Sequence, residues 1–129
     1  ISFNIGDTPD KPILNGPSRI KPEEIITFSV TSMDEDSEEV YYLLDWDDGT
    51  ITDWIGPYLP GEEVEIDHQW EQKGSYQIKV KAKDDSGLES GWSTLNMKVP
   101  LSVNNPVQEF ISEVIDYLQV ILQKILLNY

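Results

Sequence analysis

Hydrophobic and polar residues alternate along most of the chain, in short runs separated by turn residues about every ten positions. Alternation with a period of two is the pattern of a β-strand that buries one face. The clearest run is residues 75–84, where Tyr76, Ile78, Val80 and Ala82 alternate with Gln and Lys. The other runs are residues 24–33, 39–47, 50–54, 63–70 and 92–99. This spacing predicts a mainly β protein, an antiparallel β-sandwich of about seven strands.

The beginning of the chain has weaker strand signals. Residues 1–10 alternate Ile1, Phe3 and Ile5 and then break, which fits either the end of a preceding module or linker, or an extra edge strand. Residues 11–24 contain three Pro, and Pro donates no backbone hydrogen bond, so this segment is an edge strand or a linker. The sandwich is therefore assigned to residues 11–100. Within it, residues 55–62 contain two Pro and two Gly and are predicted to form a loop.

After Pro100 the period changes to that of an amphipathic helix, predicted over residues 104–129. Asn105 is a suitable cap, and Pro106 stands where a first helical turn tolerates it. The apolar stripe consists of Val107, Ile111, Val114, Leu118, Ile121 and Ile125, widened by Phe110, Leu122 and Leu126. An apolar stripe of this length is expected to be shielded from water by contact with another surface. We expect self-association into a homo-oligomer; the alternatives are folding back on the sandwich, or docking on a membrane or another protein.

Charge and composition narrow the possible partners. The chain has 24 acidic and nine basic residues, a net charge of −15, which repels phosphate and disfavours nucleic acid and anionic membranes. Charged and amide residues interrupt the helical stripe every few positions, so no transmembrane span is expected. The absence of Cys excludes disulfides, thiol catalysis and Cys-type zinc sites. A single His, His68, leaves no partner for a His-pair metal site.

Three stretches, in order, carry a family resemblance: MDEDSEEVYYLLDWDDGT, DHQWEQKGSYQIKVKAKDDSGLES and GWSTLNMKV. They resemble the polycystic kidney disease (PKD) type domain, an immunoglobulin-like sandwich of extracellular proteins, and most of all the versions in archaeal and bacterial surface proteins. The usual turn of that family is Trp-Gly-Asp-Gly, whereas this chain has Asp47 at the first Gly, a residue type that tolerates positive φ better than most. The C-terminal helix lies outside the family pattern.

The aromatic and acidic residues around Trp46 are predicted to form a structural corner. Tyr42, Leu44 and Trp46 share one face of a strand, so Trp46 is expected to fill the core while the neighbouring acids form a tight turn. His68 lies on an apolar face, and we expect a core His bonded to backbone rather than a catalytic base. Tyr76, after Gly74, is expected to be the aromatic corner that pins a sandwich edge. No enzymatic site is therefore predicted.

A calcium site is the best-supported ligand site. Acidic residues are concentrated in the loop between the second and third strands and in the loop between the last two, and these loops emerge at one pole of a sandwich. Carboxylates crowded together repel each other unless a cation bridges them. The family resemblance implies calcium here as well, because related domains of bacterial collagenases bind Ca²⁺ at this pole; the matching acids are Asp34, Asp36 and Asp84. The alternative is a solvated acidic rim.

These features predict a non-enzymatic, extracellular or cell-surface spacer or adhesion module, at the C-terminal end of a larger surface or secreted protein. The helix would mediate self-association, and other surface proteins or a polysaccharide are further possible partners. The alternative is an accessory carbohydrate-binding module of a secreted hydrolase. That alternative requires Trp54, Tyr58 and Trp92 to lie exposed on one flat patch.

Overall fold

A computed structural model of the chain describes residues 8–35, 39–100 and 106–128, with the side chains of the last segment described from Phe110 onward. The strands are β1 (Ile13–Asn15), β2 (Ile25–Thr31), β3 (Val40–Asp45), β4 (Ile55–Tyr58), β5 (Val64–Gln69), β6 (Gly74–Asp84) and β7 (Ser93–Val99). One helix follows, α1 (Pro106–Leu127). The predicted class, a mainly β sandwich with a C-terminal helix, is confirmed.

The strands form two antiparallel sheets that face each other. One sheet has three strands in the order β1-β2-β5, and the other has four in the order β4-β3-β6-β7. The alternation in β6 sets the inner face as predicted: Ile78, Val80 and Ala82 are fully buried, whereas Gln77 is exposed. Each buried side chain of this kind contributes about 1.5–3 kcal/mol relative to leaving it in water.

Aromatic rings fill one end of the core. Trp46 is only 3% exposed, and its ring centroid lies 5.5 Å from Phe28 and 5.6 Å from Trp70. The indole nitrogen of Trp70 donates a hydrogen bond of 3.1 Å to the carbonyl of Trp46, so the polar atom carried into the core has a partner. The predicted core position of Trp46 is therefore confirmed.

The fourth strand was predicted in the wrong place. Residues 50–54 were expected to be a strand, but within them only Ile51 makes a β-bridge, to Asp45. The strand is instead β4, within the segment predicted as a loop from its Pro and Gly content. Pro57 is tolerated there because β4 is an edge strand, with β3 as its one neighbour among the described strands, so one side of it needs no backbone donor.

The chain enters and leaves the sandwich at opposite poles. At the entry pole, where β3 begins and β6 ends, the backbone N–H of Asp10 donates to the carbonyl of Met33, and Val40 pairs with Asp84. At the exit pole, the last residue of β7, Val99, pairs with Gly74 at the start of β6. Segment 11–24 contributes β1 as an edge strand, one of its two predicted forms. Most of residues 1–10 lie outside the described part of the chain.

The helix is present where the stripe predicted it, and its apolar side chains are exposed. Eleven large apolar residues between Phe110 and Leu127 are exposed, including the stripe residues Ile111, Val114, Leu118 and Ile125. No helix in the described segments has both the length and the apolar character that a membrane span requires.

Candidate functional site

The turn after β3, residues 45–50, uses its carboxylates to hold its own backbone and a neighbouring strand. Asp47 has a φ of 62°, the left-handed conformation, and its N–H donates to the Asp45 carboxylate at 2.9 Å. The Asp47 carboxylate accepts the backbone N–H of Gln77 in β6 at 2.8 Å. Gly49, with a φ of 91°, completes the reversal. These bonds account for the acids on each side of Trp46.

Asp48 joins the same turn to His68. One Asp48 oxygen accepts the backbone N–H of Thr50 at 3.0 Å and also its hydroxyl, and the other lies 2.7 Å from Nε2 of His68. The His68 ring stacks on Trp46 with centroids 4.3 Å apart and planes 5° apart, and meets Trp70 edge-on at 4.5 Å. The prediction that His68 bonds to backbone is wrong, because its Nε2 bonds to the carboxylate of Asp48. The turn after β3 places this carboxylate next to β5 of the other sheet.

The surroundings of Asp48 favour its charged form. Partial burial acts to raise the pKa of this carboxyl, but the hydrogen bonds from Thr50 and His68 outweigh burial and hold the pKa below its usual value. A general base needs a free oxygen within reach of a substrate proton. Both Asp48 oxygens are instead engaged with groups of the protein, an arrangement suited to anchoring.

Tyr76 forms the aromatic corner that was predicted. Its hydroxyl donates to the carbonyl of Gln72 at 2.7 Å, which ties the start of β6 to the loop before it. The ring also contacts Trp70 at a centroid distance of 6.0 Å. A side-chain hydroxyl that bonds to backbone a few residues upstream pins an edge of many sandwiches.

Two of the three predicted metal ligands are buried at or next to the entry pole. Asp34 and Asp84 are 5% and 1% exposed. One oxygen of Asp84 accepts two bonds from Ser86 and one from the N–H of Leu88, while the other is buried with no hydrogen-bond donor among the described residues. Burial raises the pKa of Asp84, but these hydrogen bonds outweigh it and lower the pKa overall. Asp36 lies outside the described residues, and the described ones contain no group of three metal-binding side chains.

The three aromatic residues of the carbohydrate alternative do not form one flat patch. Tyr58 stacks against the buried ring of Tyr42 at 6.1 Å and packs on the core. Trp92 is 40% exposed, and Trp54 is half-buried. The condition for a planar sugar platform is therefore not met.

Lysines from β6 lie over the outer aromatic rings instead. The ammonium of Lys81 is 4.8 Å from the ring centroid of Trp92 and 5.7 Å from that of Trp54, and Lys83 is 4.6 Å from Trp54. The ring of Tyr41 lies 5.5 Å from Lys83. A sugar that stacked on these rings would have to compete with the lysine side chains for them. The outward lysines were predicted from the alternation in β6, but their aromatic neighbours, on other segments, were not.

Comparison with known proteins identifies the family. The family model of the PKD domain matches residues 7–99. The chain belongs to the PKD domain family. A solved PKD domain, from an M14-like peptidase of Thermoplasmatales archaeon SCGC AB-540-F20, is 36% identical; it superposes with a TM-score of 0.72 over 74% of this chain and 98% of its own length.

Two further proteins similar to this PKD domain come from a bacterium and from human. Collagenase ColQ1 of Bacillus cereus (strain Q1) is 37% identical over 78 residues, which is 60% of this chain and 7% of the collagenase. The PKD domain of the human VPS10 domain-containing receptor SorCS2 shares the fold at 20% identity, with a TM-score of 0.55 over 81% of this chain and 85% of its own length. The chain thus spans a small part of its curated relative and corresponds to one module of it, a type of module that is non-catalytic.

One feature of this PKD domain differs from the usual family turn. Asp47 stands where Gly is usual and adopts the positive φ that Gly would take without cost. Its carboxylate bond to the N–H of Gln77 offsets that backbone cost, which a Gly could not do. The substitution therefore keeps the shape of the turn and adds a link to β6.

Proposed function

We propose that this PKD domain is a non-enzymatic extracellular spacer or adhesion module of a larger surface or secreted protein. The supporting observation is that the chain enters at one pole and leaves at the other, so that the module separates whatever precedes it from whatever follows. β6 has 11 residues and spans the sandwich, which gives a separation of about 36 Å at ~3.3 Å per residue. The collagenase relative is named for an extracellular substrate, which supports the same placement.

The non-enzymatic part of the proposal rests on how the acids are used. The carboxylates of Asp47 and Asp48 accept hydrogen bonds from the protein itself, and the ring of His68 packs against those of Trp46 and Trp70. The space between the sheets is filled by side chains such as Phe28 and Trp70. A packed sandwich whose acids bind its own turns can bear load between two neighbours.

The spacer geometry is testable by a distance measurement between spin labels. The chain has no Cys, so the pair Asp10→Cys and Lys98→Cys can be labelled without background. Lys98 pairs with Ser75 near the exit pole, so we expect a separation of about 30 Å from Asp10. The control pair, Asp10→Cys with Asp85→Cys, lies at the entry pole and should be clearly closer. Equal distances for the two pairs would show that the chain does not cross the sandwich from pole to pole and would overturn the proposal.

The same proposal assigns helix α1 to self-association, supported by its eleven exposed apolar side chains. Exposing so much apolar surface to water is costly, and association with another copy removes that cost. Light scattering on the full chain and on a version ending at residue 103 should give an oligomer and a monomer, respectively. Equal monomeric masses at the highest soluble concentration would end this part of the proposal.

A calcium site is a second proposal, favoured by the buried oxygen of Asp84 that has no donor among the described residues. Calcium prefers carboxylate oxygens, and Asp84 can offer this oxygen while its other one holds the loop through Ser86 and Leu88. Asp34 and Asp36 would be the further ligands. A ligand that binds only the folded state raises the melting temperature.

Melting curves with and without millimolar Ca²⁺ test the site. Wild type should gain stability from Ca²⁺, Asp84→Asn should gain none, and the exposed neighbour Asp85→Asn should behave like wild type. An unchanged wild-type curve would leave the two loops as a solvated acidic rim.

A further inference from the structure

The apolar surface of α1 is wider than the stripe that a pair of helices needs. Successive residues turn by about 100° around a helix. A central seam is therefore formed by Ile111, Leu118 and Ile125, which alternate along the helix with Val114 and Ile121. Apolar residues also flank the seam on both sides: Phe110 and Tyr117 on one, Ile115 and Leu122 on the other. Together the seam and flanks cover roughly half the circumference.

The flanking residues are open to solvent in the single chain. Phe110 and Tyr117 are 67% and 68% exposed, and Ile115 and Leu122 are about half exposed. These four residues lie on the same side of the helix as the seam, so a partner that covers the seam and both flanks removes more apolar surface from water than one that covers the seam alone.

The charges on α1 argue against an anionic lipid surface as its partner. Helices that lie on membranes carry Lys and Arg on their polar side, which bind anionic headgroups. The polar side of α1 carries Glu113 and Asp116, with Lys124 near the end. Segment 106–129 has three acids and one Lys, a net charge of −2. Most of the total charge of −15 is therefore carried by the rest of the chain, which is acidic as well. An anionic surface would repel both parts.

The residue types in the seam and flanks indicate how many helices assemble. A two-stranded coil buries a narrow seam, prefers Leu at alternate seam positions, and places charged residues on the flanks. In α1 those alternate positions are the β-branched Val114 and Ile121, and the flanks are apolar except at Lys124. In a larger bundle each helix contacts two neighbours, so the flanking positions become buried. A dimer would leave Phe110, Tyr117, Ile115 and Leu122 partly in water.

We propose that α1 packs with copies of itself in a bundle of at least three helices, with the flanking residues Phe110, Tyr117, Ile115 and Leu122 in the contacts between neighbours. The proposal rests on the self-association proposed above and adds its order. Three or more sandwiches would then be held together at one point.

Sedimentation equilibrium on the full chain tests the order of the assembly. Wild type should have at least three times the mass of one chain, 14.7 kDa. The double variant Ile115→Gln with Leu122→Gln keeps the seam but makes one flank polar, so the mass should fall to that of a dimer or monomer. Ile115→Leu with Leu122→Ile keeps both positions apolar and should keep the wild-type mass. Gln119→Ala with Gln123→Ala, on the polar side, should do the same.

The outcomes separate the two proposals. A monomeric wild type would overturn self-association altogether. A wild-type dimer would leave self-association standing and overturn the larger bundle. A trimer or larger oligomer unaffected by the double Gln variant would show that the flanks are not in the contacts, which would also overturn the proposal. If monomeric wild type instead co-sediments with phosphatidylglycerol vesicles, the helix binds membrane and the bundle is wrong.

Discussion

Asp47 and Asp48 are adjacent in the chain, yet their carboxylates bind different sheets of the sandwich. Asp47 accepts the N–H of Gln77 in β6, which belongs to the four-stranded sheet. Asp48 contacts His68 in β5, which belongs to the three-stranded sheet. Two neighbouring side chains thus connect the turn to both layers, and the His68 ring that Asp48 contacts stacks on Trp46. The acids that the sequence predicted to form a tight turn therefore also link the two sheets.

Trp46 is the residue whose loss should cost most. Its ring contacts Phe28, Trp70 and His68, so Trp46→Ala would leave a cavity between the sheets. We expect the free energy of unfolding to fall by about 3–5 kcal/mol, measured by urea denaturation. Trp92→Ala, at a ring that is 40% exposed, is the matched control and should cost much less. Similar losses for the two variants would contradict the assigned core.

The link between Asp48 and His68 predicts a dependence of stability on pH. The folded state lowers the pKa of Asp48 below the unfolded value of about 3.9, so the carboxylate contributes stability above that pH. The contribution is lost as the pH falls through the folded pKa. Wild type should therefore exceed Asp48→Asn in urea midpoint near neutral pH, and the difference should shrink below about pH 4. Asp53→Asn, at an exposed position, is the control and should differ little from wild type at every pH. A difference for Asp48→Asn that does not change with pH would contradict the mechanism.

The sequence predicted the location of a side chain well where that location depends on the alternation within one strand. The period of two placed Trp46 and Tyr76 in the core or at its edge without knowledge of any partner strand. The contact of His68 with Asp48 was not predictable in this way, because it depends on how sharply the turn at Asp47 reverses the chain. The same holds for Lys81 and its Trp neighbours, which come from separate segments.

At the scale of elements, the turn after β3 depends on one backbone conformation. Asp47 has a φ of 62°, which β-branched residues adopt only with strain. Asp47→Val should lower the free energy of unfolding by about 1–3 kcal/mol. Asp47→Gly relieves the backbone but loses the bond to Gln77, so its net effect in urea denaturation should be clearly smaller. If Gly is as damaging as Val, the bond to β6, and not the conformation, determines the stability of the turn.

The misplaced fourth strand shows where an element cannot be predicted from its own residues. Segment 50–54 has the β-branched, aromatic composition of a strand, and β4 has the Gly and Pro of a loop. What decides is the partner: Val40 pairs with Tyr58 and Tyr42 with Ile55, with an irregularity between the two pairs. An edge strand needs hydrogen bonds on one side alone, so it can contain Pro57. The amino-acid composition of such a segment therefore does not distinguish a strand from a loop. The prediction of α1 succeeded because a helix closes its hydrogen bonds within itself.

At the scale of the whole molecule, the sandwich and the helix are stabilised differently. The buried core cluster consists of residues between Ile20 and Val99, and no described side chain of α1 belongs to it. The sandwich should therefore melt on its own, while α1 depends on a partner to cover its apolar surface. In this arrangement, clustering of the chains and folding of the sandwich are separable properties.

A charge in the middle of the helical seam should separate these two properties. Leu118→Glu places a carboxylate where the apolar surfaces of associated helices would meet, and burying an unpaired charge there is too costly for the contact to persist. Light scattering should then report monomers, while the melting transition of the sandwich stays cooperative and within a few degrees of that of the wild-type sandwich. Gln119→Glu adds the same charge one residue along, on the polar side, and should leave the mass unchanged. If Leu118→Glu also destabilises the sandwich, the helix must stabilise its own domain, and the separation of association from folding would be wrong.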